Sequence, residues 1–374
     1  MSHTQPRTVL FAGGGTGGHL FPALAIAEEL LERAPGMRVR FLASARTLDA
    51  EILRAERLAG APPDFEAIPA RPFGVHPGTL ARFLLSWGGA VRAGRAAIRR
   101  AEAPVVVAMG GFVAAPCVQA ARAEGVPVLM VNLDATPGRA NRWIARHAGR
   151  VLTAAAVEGA AWEVVPPIVR RSARPPGDAA SCRGRFGLDA DRPTLLVTGA
   201  SQGASSMNRL LAAMVARDPG VFTRGGWQVI HQTGKADVEE TRAAYRGAGI
   251  PAVVEPFLRE MGTAWGAATV AVSRAGAGLV AESWANRVPT LFLPYPFHRD
   301  QHQRRNAEPL VRAGAAELAT DHVHVEANLT RTAPAIAALM NEPERRERLA
   351  RGLAALGPAD GAARVAEAIL RGRS

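Results

Sequence analysis

One local pattern occurs twice, near the start of the chain and again near its middle, and it restricts the fold more than any other feature. The apolar run Val9-Leu10-Phe11-Ala12 leads into Gly13-Gly14-Gly15-Thr16-Gly17-Gly18-His19 and then into apolar residues at helical spacing from Leu20 to Leu31. The run Thr194-Leu195-Leu196-Val197-Thr198 leads into Gly199-Ala200-Ser201-Gln202-Gly203-Ala204, followed by Met207, Leu210, Leu211 and Met214 at helical spacing. Each reads as a strand, a glycine loop and a helix. Glycine permits positive φ and close backbone approach, and a helix start offers unpaired N–H groups and partial positive charge to an anion. The spacing of the first loop fits neither G-x-G-x-x-G nor G-x-x-x-x-G-K-[ST] cleanly, so it marks an anion-facing turn without naming the ligand.

Further apolar runs alternate with longer helical patterns: Val105 to Val107, Val126 to Val131, Trp227 to His231, Ala252 to Val254, Thr269 to Val272 and Thr290 to Leu293. This alternation predicts an α/β fold of parallel, doubly wound sheets covered by helices. A length of 374 residues with 48% hydrophobic content suits two domains. Their expected bounds are 1–165 and 191–358, joined through 166–190, where Pro166-Pro167 and Pro175-Pro176-Gly177 interrupt apolar periodicity. Cys117 and Cys182 are too few for a disulfide framework and too far apart for a metal motif, which points to a reducing compartment. With no signal segment and no apolar run of about 18 residues, a cytoplasmic location is expected.

The 45 Lys and Arg against 33 Asp and Glu give a net charge of +12, suited to an anionic partner or to an arginine-rich genome. Aromatic residues make up only 5% and do not interleave with basic runs, which argues against nucleic acid. Segment 71–100 combines Phe73, Leu80, Phe83, Leu84, Leu85 and Trp87 with Arg82, Arg92, Arg95, Arg99 and Arg100. That composition fits an element at a membrane surface or an amphipathic helix packed on a sheet.

In the second half, Ser273-Arg274-Ala275-Gly276-Ala277-Gly278 follows a predicted strand, with Glu282 four residues beyond Gly278. Small residues admit a sugar or phosphate, and a carboxylate can accept both hydrogen bonds of a ribose diol. Downstream, Pro294-Tyr295-Pro296 precedes His298, His302, Gln303 and Asn306, whose imidazole and amide groups suit hydroxyl recognition. His298 and His302 stand at i, i+4, but no further ligand completes a metal set, and no metal or cofactor is expected.

Taken together, the Gly13 to His19 loop, Met109-Gly110-Gly111-Phe112-Val113, Gly199 to Ala204 with Asn208, Arg274 to Glu282, and Pro294 to Asn306 resemble the MurG family of UDP-N-acetylglucosamine transferases. The likeness runs in register from about Thr8 to Ala316. It implies a GT-B architecture of two Rossmann-like domains, with a last helix at about 359–374 returning to the first. It further implies transfer of N-acetylglucosamine, with inversion, from the UDP-sugar to the 4-hydroxyl of a MurNAc carried on a polyprenyl pyrophosphate. That reaction turns lipid I into lipid II in peptidoglycan synthesis, at the cytoplasmic face of the cell membrane.

Residue by residue, the resemblance makes His19 the candidate base and Arg170 a candidate for stabilising the diphosphate. Thr16, Gly17, Gly18, Ser201, Gln202 and Gly203 would meet the donor's sugar and phosphates, and the backbone of Leu258 its uracil. Arg274, Gly276, Ala277 and Glu282 would surround the ribose, with His302, Gln303 and Asn306 on the sugar hydroxyls. Acceptor contacts fall to Gly14, Gly15, Gly110, Gly111, Phe112 and Asn141. Three departures lie on the acceptor side or the hinge: Val131-Asn132-Leu133-Asp134 stands where the family has H-E-Q-N, Pro166-Pro167-Ile168-Val169-Arg170 where it has G-N-P-V-R, and Phe112 where tyrosine is usual. They leave open a diverged paralogue with another lipid-linked acceptor, and a nucleotide-sugar-binding protein that docks on membranes without catalysis.

Overall fold

The computed structural model describes residues 8–74, 76–199, 203–297 and 300–372. The chain forms two compact units, one of the residues up to Arg170 together with those from Asp360 onward, the other of Arg171–Ala359. The first unit contains β1 (Thr8–Gly13), β2 (Arg38–Ser44), β3 (Asp64–Ile68), β4 (Val106–Gly110), β5 (Val128–Asn132), β6 (Arg150–Thr153) and β7 (Glu163–Val164). They pair in parallel in the order β3-β2-β1-β4-β5-β6-β7. The second contains β8 (Thr194–Thr198), β9 (Gln228–Gln232), β10 (Ala252–Glu255), β11 (Val270–Ser273), β12 (Thr290–Phe292) and β13 (Glu317–Leu318). Its order is β10-β9-β8-β11-β12-β13, again all parallel.

Both sheets are covered on two faces, which explains their uninterrupted apolar runs. Along β1, Val9 and Phe11 pack with Leu20, Leu24 and Leu30 of helix Gly17–Arg33 and with Val365 and Ile369 of the final helix, Gly361–Arg371. Leu10 and Ala12 face the opposite layer, with Val113 and Val118 of helix Gly111–Ala123. In each unit the direction of winding reverses once, between β1 and β4 and between β8 and β11. Connections leaving two such strands diverge and open a crevice at the strands' carboxyl ends. The two glycine loops follow β1 and β8, so each stands at the switch point of its own sheet.

The stretch 166–190 is packed rather than a free tether. Ile168 is buried in the core of the first unit, while helix Ala179–Arg185 belongs to the second and buries Cys182. Asp178 caps that helix, its Oδ1 accepting from the Ser181 N–H at 2.8 Å. A seven-residue helix with one buried side chain carries no readable periodicity, so sequence patterning passes over it.

Segment 71–100 is two things at once. The carboxyl half of helix Pro77–Ala101 buries Ala90, Gly94, Ala97 and Ile98 against the first unit. Arg95 and Arg99 pair with Glu124, and Arg100 with Glu66, so these three guanidinium groups serve the fold. The amino half exposes Phe73, Leu84 and Leu85, the last at 85%, beside an open hollow between Arg71, Arg82, Leu85 and Ser86. Among the described residues no helix is long and apolar enough to cross a membrane.

Candidate active site

In the first unit, the turn after β1 is shaped by contacts from other loops. A β-carbon on Gly14 would collide with Asp49 Oδ2, and Gly15 holds φ at +88°, a region that disfavours side chains. The Gly15 N–H donates to Asp49 Oδ2 at 2.7 Å, and the Gly15 carbonyl accepts from Arg46 at 2.9 Å. Thr16, at the amino end of helix Gly17–Arg33, is exposed, and its Oγ1 lies 3.3 Å from His19 Nδ1. His19 is half-buried in the first turn of that helix. Burial lowers its pKa below the ordinary value of 6.5, against the opposing pull of the Asp134 and Asp49 carboxylates and a hydrogen bond with the Gly14 backbone. The imidazole is therefore neutral near pH 7 and able to accept a proton.

Gly110, the last residue of β4, and Gly111, which follows it, complete this crevice, and the imidazole of His19 lies against Gly111. Their position is set from beneath. Asn141 Oδ1 accepts from the Gly111 N–H at 3.3 Å, and Asn141 Nδ2 donates to Asn132 Oδ1 at 3.2 Å. Asn132 Nδ2 in turn donates to the Asp134 carbonyl at 2.7 Å and to Thr153 Oγ1 at 3.0 Å. Asn132 is one of the departures from the family pattern, and a wholly buried amide both donates and accepts here, whereas an ionised carboxylate could only accept. Asn141, expected at the acceptor, is buried and braces Gly111. Phe112 fills the space beside Gly15, with the Arg46 guanidinium 5.1 Å above its ring.

Arg170, the candidate for stabilising the diphosphate, is held by a carboxylate. It belongs to the first unit, forms a two-pronged ion pair with Glu56 at 2.8 and 2.6 Å, and stacks over Phe21 at 5.0 Å. Its guanidinium is only 12% exposed and is held by that carboxylate.

In the second unit, Ser201 and Gln202 lie outside the described residues, as does His298. The described ends of that loop are tight. Gly199 abuts Gly203 and Ala204, and Gly203, with φ at +72°, leaves no room for a β-carbon beside the Thr233 carbonyl. Thr233 is anchored by a buried relay. Tyr245 donates its hydroxyl to His231 Nδ1 at 3.1 Å, His231 Nε2–H donates to Asn208 Oδ1 at 3.0 Å, and Asn208 Nδ2 donates to the Thr233 carbonyl and Asp237 Oδ2, both at 2.8 Å. Only the neutral Nε2–H tautomer satisfies this sequence, and burial pushes the His231 pKa down to about 3 despite Asp237 nearby.

The relay makes the unit sensitive to acid. A histidine held neutral in the fold, with an unfolded value near 6.5, contributes stability that is complete above pH 6.5 and is lost as pH falls from 6.5 toward 3. We expect chemical denaturation to show a loss of about 1.4 kcal/mol per pH unit from this group within that window. The His231→Gln variant, which has no imidazole to titrate there, should show a shallower slope.

The loop after β11 faces the β8 loop across the switch point. Gly276 caps helix Ala277–Asn286 without a side-chain bond, and among the described residues no atom outside its chain neighbours and its own helix backbone lies within 4 Å of where its β-carbon would stand. That leaves the helix start open to an approaching ligand. Glu282 lies in the second turn, partly buried, its Oε2 accepting from Trp265 Nε1 at 2.7 Å. Leu258 buries its side chain in the core. His302 Nδ1 stands 2.9 Å from Asp300 Oδ1, and Gln303 Oε1 accepts from the Tyr295 N–H at 2.8 Å. Asn306 is buried, with Nδ2 3.4 Å from the Ala275 carbonyl, and so links helix His302–Arg312 to the β11 loop.

Arg274, a candidate donor contact, is held by several loops of its own unit. It is buried, pairs with Asp321 at 2.7 Å, and donates to the Leu293 carbonyl at 2.8 Å and to Ser206 Oγ at 2.8 Å. Its guanidinium ties together three loops at the end of the sheet. Sequence reasoning also passed over Asp49, because no motif surrounds it and its partner Gly15 is 34 residues away. Among the described residues no cluster of three or more His, Cys, Asp and Glu has a metal-binding arrangement.

Two doubly wound parallel units, each with a glycine loop at its switch point, make up the GT-B architecture of sugar-nucleotide enzymes. The comparisons with known proteins agree. Residues 9–153 match the glycosyltransferase family 28 N-terminal domain and residues 194–365 its C-terminal domain. A Nocardioides protein named UDP-N-acetylglucosamine–N-acetylmuramyl-(pentapeptide) pyrophosphoryl-undecaprenol N-acetylglucosamine transferase is 35% identical over 371 residues, covering 97% of each chain. A protein of the same name from Xylella fastidiosa strain Temecula1 is 36% identical over 376 residues, covering 98% of each. The crystal structure of Acinetobacter baumannii MurG superposes with a TM-score of 0.73 at 26% identity, over 98% of this chain and all of that one. The chain belongs to glycosyltransferase family 28.

Proposed function

We propose that this enzyme transfers N-acetylglucosamine from UDP-N-acetylglucosamine to the 4-hydroxyl of MurNAc in undecaprenyl-pyrophosphoryl-MurNAc-pentapeptide, forming lipid II for peptidoglycan. The observation that carries the reading is likeness over nearly the whole chain, at 35–36% identity, to proteins named for that reaction. The site chemistry supports it. A hydroxyl attacking an anomeric carbon from the face opposite the leaving UDP needs a base, and His19 is neutral and adjacent to the acceptor glycines. The departing diphosphate needs charge stabilisation, which the open helix start at Gly276 and the loop ending in Gly203 and Ala204 supply through N–H groups. Glu282 is the ribose partner in this reading, with Ser201 and Gln202 on the phosphates and His302 and Gln303 on the sugar.

The lipid-linked acceptor requires access to a membrane surface. The exposed Phe73, Leu84 and Leu85, flanked by Arg71 and Arg82, form the face that meets anionic lipid, which makes this a peripheral protein of the cytoplasmic leaflet. The assay that tests the function is UDP release from UDP-N-acetylglucosamine with and without a lipid I analogue. We expect release only with the analogue. Turnover confined to a different lipid-linked acceptor overturns the acceptor assignment, and no turnover with any donor overturns the enzyme.

A further inference from the structure

We infer that Asp49 is a positioning residue for the transfer reaction, its carboxylate fixing the Gly14–Thr16 turn that leads into the first helical turn bearing His19 and adding a negative charge beneath that turn. The inference rests on the transferase reading, in which His19 takes the proton of the attacking hydroxyl. Asp49 is wholly buried in helix Thr47–Ala55. Three donors converge on its Oδ2: the Gly15 N–H at 2.7 Å, the Ser44 N–H at 2.9 Å and Ser44 Oγ at 2.7 Å. Since Arg46 holds the Gly15 carbonyl at 2.9 Å, both polar groups of Gly15 are tied to the segment 44–49. Oδ2 also occupies the space that a side chain at residue 14 would need, so loop and carboxylate are built as one object.

A brace for two N–H groups and a hydroxyl does not require a charge. A neutral acceptor would satisfy them without the cost of burying an ion. Asp49 moreover leaves Oδ1 buried with no hydrogen-bond partner among the described residues, an expense that architecture alone does not explain. The charge does have a use at His19. The Asp134 carboxylate, from the loop after β5, favours the protonated imidazole most, and Asp49 adds to it from the segment that also holds the Gly15 turn, a contribution that grows in importance when His19 accepts a proton during the reaction. In a site of low dielectric, a fixed opposite charge stabilises that imidazolium without any reorganisation.

The test combines Asp49→Asn, Asp49→Glu and a cycle with His19→Ala, all assayed for transfer to a lipid I analogue and checked for folding by circular dichroism. We expect Asp49→Asn to lower kcat on the order of tenfold at an unchanged KM for UDP-N-acetylglucosamine. The acid limb of its pH profile should move to lower pH, because His19 loses a neighbour that helps it keep a proton. Asp49→Glu, which keeps the charge, should keep the wild-type limb even where displacement of the loop costs rate. In the His19→Ala background, Asp49→Asn should lower kcat no further. A folded Asp49→Asn enzyme with the wild-type pH profile, or losses that multiply in the double variant, overturns the role. Absence of transfer by the wild type overturns the transferase reading itself, a separate and recognisable outcome.

Discussion

His19→Ala is expected to lower the rate of transfer by about 10³-fold while leaving UDP affinity within roughly twofold of the wild type, the range that loss of a general base produces. The split follows from where His19 stands. It belongs to the first unit, in the first turn of helix Gly17–Arg33, whereas the groups proposed to hold the nucleotide belong to the second. Truncation to alanine retains a good helix former and removes only the imidazole, so the turn held by Asp49 and Arg46 stays in place. The measurements are single-turnover transfer to a lipid I analogue and UDP titration by calorimetry. Equal loss in both would make His19 a folding or binding residue. The pH profile gives an independent check. Because burial lowers the His19 pKa, the base form persists below pH 6.5, and the acid limb of kcat/KM in the wild type should fall on the acid side of that value.

The part of this site that could be read from the sequence is the part encoded by neighbours in the chain. Strands such as β1 and β8 declare themselves because both faces are covered, so their central residues run apolar without alternation, and the glycines that follow mark the switch points. The short edge strands β7 and β13, two residues each, carry no such run. Charged groups were the least legible. Arg170 and Arg274 both sit in motifs associated with the donor, yet one is paired with Glu56, 114 residues away, and the other with Asp321. A sequence shows that an arginine is present and not which carboxylate comes to meet it. The same holds for Asp49 and for Arg95, Arg99 and Arg100, whose partners arrive from other elements. The family motifs thus locate the crevices well, while the three-dimensional pairing decides which side chains brace them and which are left to face a ligand.

Arg274→Ala tests that distinction, with an expected loss of about 3–5 kcal/mol in the stability of the second unit. The side chains of Arg274 and Asp321 are 7% and 1% exposed, so removing the guanidinium strands a carboxylate out of water. Burial alone would push the Asp321 carboxyl up. Hydrogen bonds from Ser206, Asn328 and the Val323 N–H, together with Arg274, hold it below the usual range instead. Loss of Arg274 removes one of these supports and also releases the Leu293 carbonyl and Ser206. If the arginine instead gripped the donor, the variant would keep its stability and lose nucleotide affinity. Chemical denaturation with and without saturating UDP separates the two, because a ligand that binds only the folded state adds an increment fixed by its own dissociation constant. For a brace, the midpoint falls and the increment from UDP is unchanged. For a donor contact, the midpoint in buffer is unchanged and the increment shrinks. Arg274→Lys keeps the charge but not the planar fork that reaches Asp321, Leu293 and Ser206 together, so it should fall between the wild type and alanine in stability, again with the full UDP increment.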